Sequence, residues 1–311
     1  MAGLVEVEGV DADYVTAPLE EIFARAFDDQ AFDVTELSFS NYLYLTSTGD
    51  CPYVGLPVFP SRAFRHSAIY IRTDRGIEKP EDLRGKLVGT PEYQMTAPVW
   101  MRGILDDQYG IKSNEIRWRS GGQEEAGRDE RTPFEAPEGL DLEPIPEDRT
   151  LVEMFEAGEL DALTTAREPS SFTLRKPNIG RLFSDFRSVE KEYYRDTGIF
   201  PIMHLMGLRK DLAEKHPWLA GSLYKAFLEA RDIAYQDIAK TAALSVALPW
   251  VAQELQDTVG LMGPDYWKYG IEECRHEIEA LARYSYNDGL SERLLTPEDL
   301  FAESTFDISR I

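Results

Sequence analysis

Two guanidinium groups and an imidazole fall within seven residues of one another in Pro60-Ser-Arg-Ala-Phe-Arg-His66. Arg62 and Arg65 offer planar donor forks suited to a carboxylate, and His66 carries the side chain most readily protonated near neutral pH. The cluster is informative because the chain is acidic, with 56 Asp and Glu against 33 Lys and Arg and a net charge of −23. Cations gathered against that balance point either to a small anionic ligand or to an ion pair with an acidic neighbour.

Further polar groups lie at predicted element ends. Tyr93, Gln94 and Thr96 precede a predicted helix with Pro98 in its first turn, where backbone N–H groups and a hydroxyl can hold an anion. Ordinary capping accounts for Thr96 equally well, and Tyr93 either offers its hydroxyl to a ligand or is simply packed. Ser38, Ser40 and Asn41 in DVTELSFSN read as a strand-to-helix turn, with a helix cap as the competing account. Arg167 follows LDALTTA, where a strand is predicted to open onto a cleft, and a surface ion pair with Glu168 is its alternative. His204 stands in the apolar run IFPIMHLMGL and is either a core histidine or a cleft residue. His216 reads as helix-start structure and His276 as surface. Four scattered His without HxH or HExxH give no case for a metal, and Cys51 and Cys274 read as two ordinary thiols.

The elements that must position these groups are strand-length apolar runs at 53–59, 68–72, 86–89, 160–164 and 202–208, several of them separated by helical patterns. That alternation predicts an α/β protein with mainly parallel sheets. Thr150-Leu-Val-Glu153 is a capping box for a short helix that Gly158 can end. Leu219, Leu223 and Phe227 share a helical face, and the C-terminus reads as mostly helical. The Glu/Pro/Gly-rich stretch 121–149 is predicted to be a surface loop or hairpin.

At 311 residues the chain is long enough for two domains, and 43% hydrophobic with 11% aromatic residues fits globular packing. The charge of −23 repels phosphate backbones and anionic head groups, so neither nucleic acid nor membrane is expected as a partner. MAGLVEVEGVDADYV has no basic and apolar leader pattern, and the chain is expected to be cytoplasmic. A homo-oligomer is left open.

Three segments in order, IEKPEDLRGKLVGTPEYQMTAPVW (77–100), TLVEMFEAGELDALTTAREPSSF (150–172) and GIFPIMHLMGLRKDLAEKHPWL (198–219), resemble the type II periplasmic-binding-protein architecture. Within it, DVTELSFSNYL (33–43), FPSRAFRHSAIYIR (59–72), PEYQMTAPVWMRGIL (91–105) and GIFPIMH (198–204) resemble the 4,5-dihydroxyphthalate decarboxylase family, over roughly residues 5–311. The resemblance implies a two-lobed α/β fold with a ligand cleft between the lobes. Residues 1–88 and 205–311 would form one lobe and 89–204 the other. Proteins of this kind begin with a further strand before the segment matching VEVEGVDADYV, so one sheet edge is expected to lack it.

The implied activity is cofactor-independent decarboxylation of a hydroxylated aromatic (di)carboxylic acid, as in 4,5-dihydroxyphthalate going to 3,4-dihydroxybenzoate and CO2. Such chemistry needs an acid for the ring carbon, an anion clamp and an apolar wall. His66 is the first expectation for the acid, with His204 next and Tyr93 as the group that polarises a phenol. Ser38, Ser40, Arg62, Arg65, Gln94, Thr96 and Arg167 are the expected binding residues, with no metal and no cofactor. The rival expectation is a non-catalytic, transporter-type binding protein for an aromatic carboxylate, and a third is an enzyme acting on the carbon skeleton of a different ring.

Overall fold

Nine strands among the described residues sort into two sheets in a computed structural model, which describes residues 3–127 and 134–306. Strands β1 (Val34–Ser38), β2 (Tyr53–Arg62) and β9 (Ile202–Arg209) form the smaller sheet, in the order β1-β9-β2. The larger comprises β3 (Ile69–Arg72), β4 (Leu87–Thr90), β5 (Arg117–Ser120), β6 (Leu142–Pro144), β7 (Ala162–Thr164) and β8 (Ile179–Arg181), in the order β6-β5-β4-β7-β3-β8. Each sheet is the floor of one lobe. Helices α1 (Leu19–Phe27), α2 (Phe39–Thr48) and α3 (Thr96–Tyr109) are followed by α4 (Leu151–Ala157), α5 (Ser170–Thr173), α6 (Phe186–Thr197) and α7 (Lys210–Lys215). The C-terminal part is helical as expected, with α8 (Leu219–Ala239), α9 (Val251–Met262), α10 (Arg275–Asn287) and α11 (Pro297–Leu300).

The smaller sheet is covered on both faces, which explains why its central strand β9 reads as an almost unbroken apolar run. Leu37 and Leu205 pack on one face with Phe39, Tyr42 and Leu43 of α2 and Trp100 of α3, whereas Leu56, Val58 and Leu208 pack on the other with Leu219 and Leu223 of α8. Gly55 and Gly207 face each other in the register. A Cβ on Gly55 would lie 2.7 Å from the Leu300 carbonyl, so only glycine lets the end of α11 close over the sheet there.

Two expectations are corrected. The chain changes sheets between Arg62 and Ile69 and returns before Ile202, rather than near residues 88 and 205, because β3 pairs with β7 and β8 of the larger sheet. All four residues of β3 are buried, and a short strand covered on both faces carries no mark of which sheet it joins. The sheets are also not mainly parallel. The smaller is antiparallel throughout, and in the larger β4 runs parallel to β5 and β7 while β3 runs against both its neighbours.

The predicted capping box is present: Thr150 Oγ1 accepts from the Glu153 N–H at 3.1 Å, and the Glu153 carboxylate accepts from the Thr150 N–H at 3.1 Å. Gly158 ends the helix at φ 75°. The predicted loop at 121–149 lies partly outside the described residues, and its later part carries β6. Among the described residues no helix is long and apolar enough to cross a membrane.

Candidate active site

A cavity of about 430 Å³ opens between the two sheets, with β1, β2 and β9 contributing Ser38, Ser61, Met203 and His204 to its lining. Ser38 on β1 and Ser61 on β2 are the register partners of His204, one on each side of it. Ser61 reaches that place through an irregularity: the register of β2 shifts between Leu56 and Ser61, where Pro57 and Pro60 cannot donate to the ladder. His204 is fixed from two further directions. Its Nδ1 lies 2.6 Å from Glu36 Oε1, and the Phe23 ring of α1 meets it edge-on with centroids 5.0 Å apart. A carboxylate only accepts, so Nδ1 carries the hydrogen and Nε2 remains for a ligand.

The starts of two helices meet at the same cavity. Ser38 Oγ and Thr96 Oγ1 are 3.0 Å apart, and the Ser40 N–H donates to Thr96 Oγ1 at 3.1 Å. Thr96 therefore caps α2 from outside instead of its own helix α3, and the clip joins β1 and α2 to α3. Ser40 itself is buried and contributes its backbone here, while its Oγ has no hydrogen-bond partner among the described residues.

Arg65 lines the cavity as a half-buried cation. Its Nε donates to Met203 Sδ at 3.1 Å, and among the described residues its terminal nitrogens make neither a hydrogen bond nor an ion pair. Burial pushes its pKa down to about 10, partly offset by the Glu190 carboxylate. Arg167 is also at the cavity, but its guanidinium is taken by Glu20 of α1 at 2.9 Å, an ion pair that bridges from α1 to the loop after β7.

The full length of the chain has close relatives. It is 42% identical over 309 residues to a 4,5-dihydroxyphthalate decarboxylase of Comamonas testosteroni, covering 99% of this chain and 94% of that protein. It belongs to the 4,5-dihydroxyphthalate decarboxylase family. A 4,5-dihydroxyphthalate decarboxylase of Pseudomonas putida matches at 46% over 193 residues, 62% of this chain and 75% of that one. No family profile matches the chain. Among solved structures, the periplasmic aliphatic sulphonate binding protein SsuA from Escherichia coli aligns at 14% identity with a TM-score of 0.47, covering 91% of this chain and 84% of that one.

In this member of the decarboxylase family five of the expected site residues do not line the cavity, Ser40 among them. Arg62 is turned into the core, where Nη1 donates to the Phe200 carbonyl at 2.8 Å and Nη2 to the Lys268 carbonyl at 2.8 Å, with Glu277 as its counter-ion at 3.4 Å. His66, 2% exposed, stands between the ring edges of Phe183 and Tyr193, and burial pushes its pKa down to about 4. The 3-10 turn at residues 66–68 carries it away from Arg65. Tyr93 is fully buried under the Arg102 guanidinium, 3.6 Å above its ring, and stacks on Phe134. Gln94 is fully buried and outside the lining.

Glu36, Ser61, Phe23 and Glu20 were not anticipated from sequence. Glu36 did leave a signal, a carboxylate inside a short strand between Thr35 and Leu37. A second cavity, about 370 Å³ and partly walled by α3, has the Arg102–Asp288 ion pair in its lining and no histidine or cysteine. Among the described residues no group of three His, Cys, Asp or Glu is placed to hold a metal ion.

Proposed function

We propose that this protein removes CO2 from a hydroxylated aromatic dicarboxylic acid, with 4,5-dihydroxyphthalate the first compound to test and 3,4-dihydroxybenzoate the expected product. The observation that carries the reading is the pairing, in one cavity, of His204 backed by Glu36 with Arg65, whose terminal nitrogens make no hydrogen bond among the described residues, in a chain matching a decarboxylase along almost its whole length. A volume of about 430 Å³ suits a single-ring ligand.

The parts then take the following roles. Arg65 and the joined starts of α2 and α3 hold the carboxylate that stays on the ring, since a charge-assisted bond and helix N-termini both favour an anion. A carboxylate there also gives the terminal nitrogens of Arg65 the direct acceptor they lack among the described residues. Phe23, Met95 and Met203 give apolar walls that desolvate the carboxylate that leaves. In its doubly protonated form, with Nδ1–H held by Glu36, His204 delivers the Nε2 proton to the ring carbon bearing that carboxylate while a para hydroxyl pushes electron density into the ring. The carbon–carbon bond then breaks, its electron pair restores aromaticity, and CO2 departs.

The test is to incubate the purified protein with a panel of hydroxylated aromatic acids and follow CO2 and ring product by mass spectrometry. Equimolar CO2 and dihydroxybenzoate from the dihydroxyphthalate are expected. Tight binding of an aromatic carboxylate with no CO2 from any member of the panel would overturn the enzyme in favour of a binding protein.

A further inference from the structure

We infer that Glu36 is a positioning residue for the proton transfer: it fixes the orientation of the His204 ring so that Nε2 is the nitrogen presented to the cavity. This rests on the reading of His204 as proton donor.

The geometry follows from the antiparallel register. Glu36 is opposite Met206 and Ser38 is opposite His204, so Glu36, Ser38 and His204 all project from one face of the smaller sheet, with Glu36 and His204 as diagonal neighbours. Along that face the chemistry changes from apolar to polar. Farther from the cavity it carries Leu208, which packs with Leu56 and α8, and a carboxylate at the margin of such a surface costs desolvation unless it has a partner. The Glu36 carboxylate has one partner among the described residues, His204 Nδ1 at 2.6 Å, and both side chains are sheltered, 24% and 16% exposed. Nothing in the packing of β1 requires an acid here, since an apolar side chain would continue the face begun by Val34.

Phe23 closes the remaining freedom by meeting the ring edge-on from α1. An imidazole held by a carboxylate at one nitrogen and an aromatic ring at its flank cannot swing Nδ1 toward the cavity. In the step itself the Nε2–H bond breaks as a C–H bond forms at the ring carbon, the carbon–carbon bond to the carboxylate breaks, and CO2 leaves. Water then returns a proton to Nε2, and Glu36 holds Nδ1–H throughout. His66 is the internal control, because its Nδ1 has no hydrogen-bond partner among the described residues.

The experiment compares Glu36→Leu, Glu36→Asp and His204→Asn in the full chain, measuring kcat, KM and thermal midpoint with the dihydroxyphthalate. Glu36→Leu, which removes the acceptor, should lower kcat by about 10²-fold, the lower end expected for disabling a general acid, with KM within about threefold of wild type. Glu36→Asp, which keeps the acceptor, should recover part of the loss. Wild-type kcat in Glu36→Leu beside a collapsed His204→Asn overturns the role of Glu36 and leaves His204 standing. A lower thermal midpoint with unchanged kcat per folded molecule makes Glu36 merely structural and also overturns it. Wild-type turnover in His204→Asn instead overturns the underlying reading of the site.

Discussion

His66 and His204 are the same chemical group in two surroundings, and the contrast separates a histidine that packs from one that can react. Both are largely buried and both touch aromatic rings. His66 is flanked by the Phe183 and Tyr193 rings, and burial drives it to the neutral form. His204 has a carboxylate at one nitrogen and a cavity at the other. The two arginines of the same motif divide in the same way. Arg62 has carbonyls and Glu277 on its fork and is used up by the fold, whereas the terminal nitrogens of Arg65 are left for a ligand.

The sharpest way to break the contrast is to exchange each histidine. His204→Asn should lower turnover by about 10²–10⁴-fold, as for a lost general acid, while His66→Asn should turn over near the wild-type rate once folded. Loss of turnover in His66→Asn with His204→Asn intact would reverse the assignment. The arginines come next. Arg62→Ala should destabilise the fold by about 3–5 kcal/mol, measured by urea unfolding, because it strands a buried Glu277. Arg65→Ala should leave stability near wild type but weaken substrate binding by about 1.5–3 kcal/mol, seen by calorimetry.

A smaller effect sharpens the role of burial at His66. The unfolded chain protonates this ring near its ordinary pKa of 6.5, and the folded chain only near about 4. Its contribution is therefore complete above pH 6.5 and is lost as the pH falls to about 4, roughly 3 kcal/mol in all. In His66→Asn the fall in unfolding free energy across that window should be shallower; an unchanged slope would remove His66 from the acid response. Smallest is Thr96→Val, which takes the acceptor from the Ser40 N–H and should cost about 1 kcal/mol. If it costs nothing, the clip between α2 and α3 is incidental.

Much of the fold was legible because short apolar runs bounded by turns locate strands whatever their partners, and β2, β3, β4, β7 and β9 all overlap the predicted runs. Partnership was less legible. A buried four-residue strand such as β3 looks alike in either sheet, so its lobe was misplaced. Of the expected site residues, Ser38, Arg65, Thr96, Arg167 and His204, picked out by residue type and position, line the cavity. His66 and Arg62 lie outside the cavity lining, because the direction of a side chain beyond an irregular strand depends on the shift near Pro57 and the turn at 66–68. Glu36 was missed because its partner lies 168 residues away, a distance at which residue spacing says nothing.

The order of the smaller sheet also bears on how the protein is made. Among the described residues β1 and β2 do not pair with each other; each has its ladder partner in β9, which is synthesised after the whole of the larger sheet. On the ribosome the first two strands must wait as unpaired apolar segments while residues 63–201 emerge, and closing so long an interval slows folding and invites association with other chains. Even β9 does not finish the task. The outer carbonyls of β2 are filled by Gly270 N–H on Pro57, Trp267 Nε1 on Phe59 and Ala302 N–H on Gly55, all from the C-terminal segment. Nascent chains released before about residue 302 are thus expected to depend on chaperones and to be sensitive to protease, a burden set by strand order and independent of catalysis.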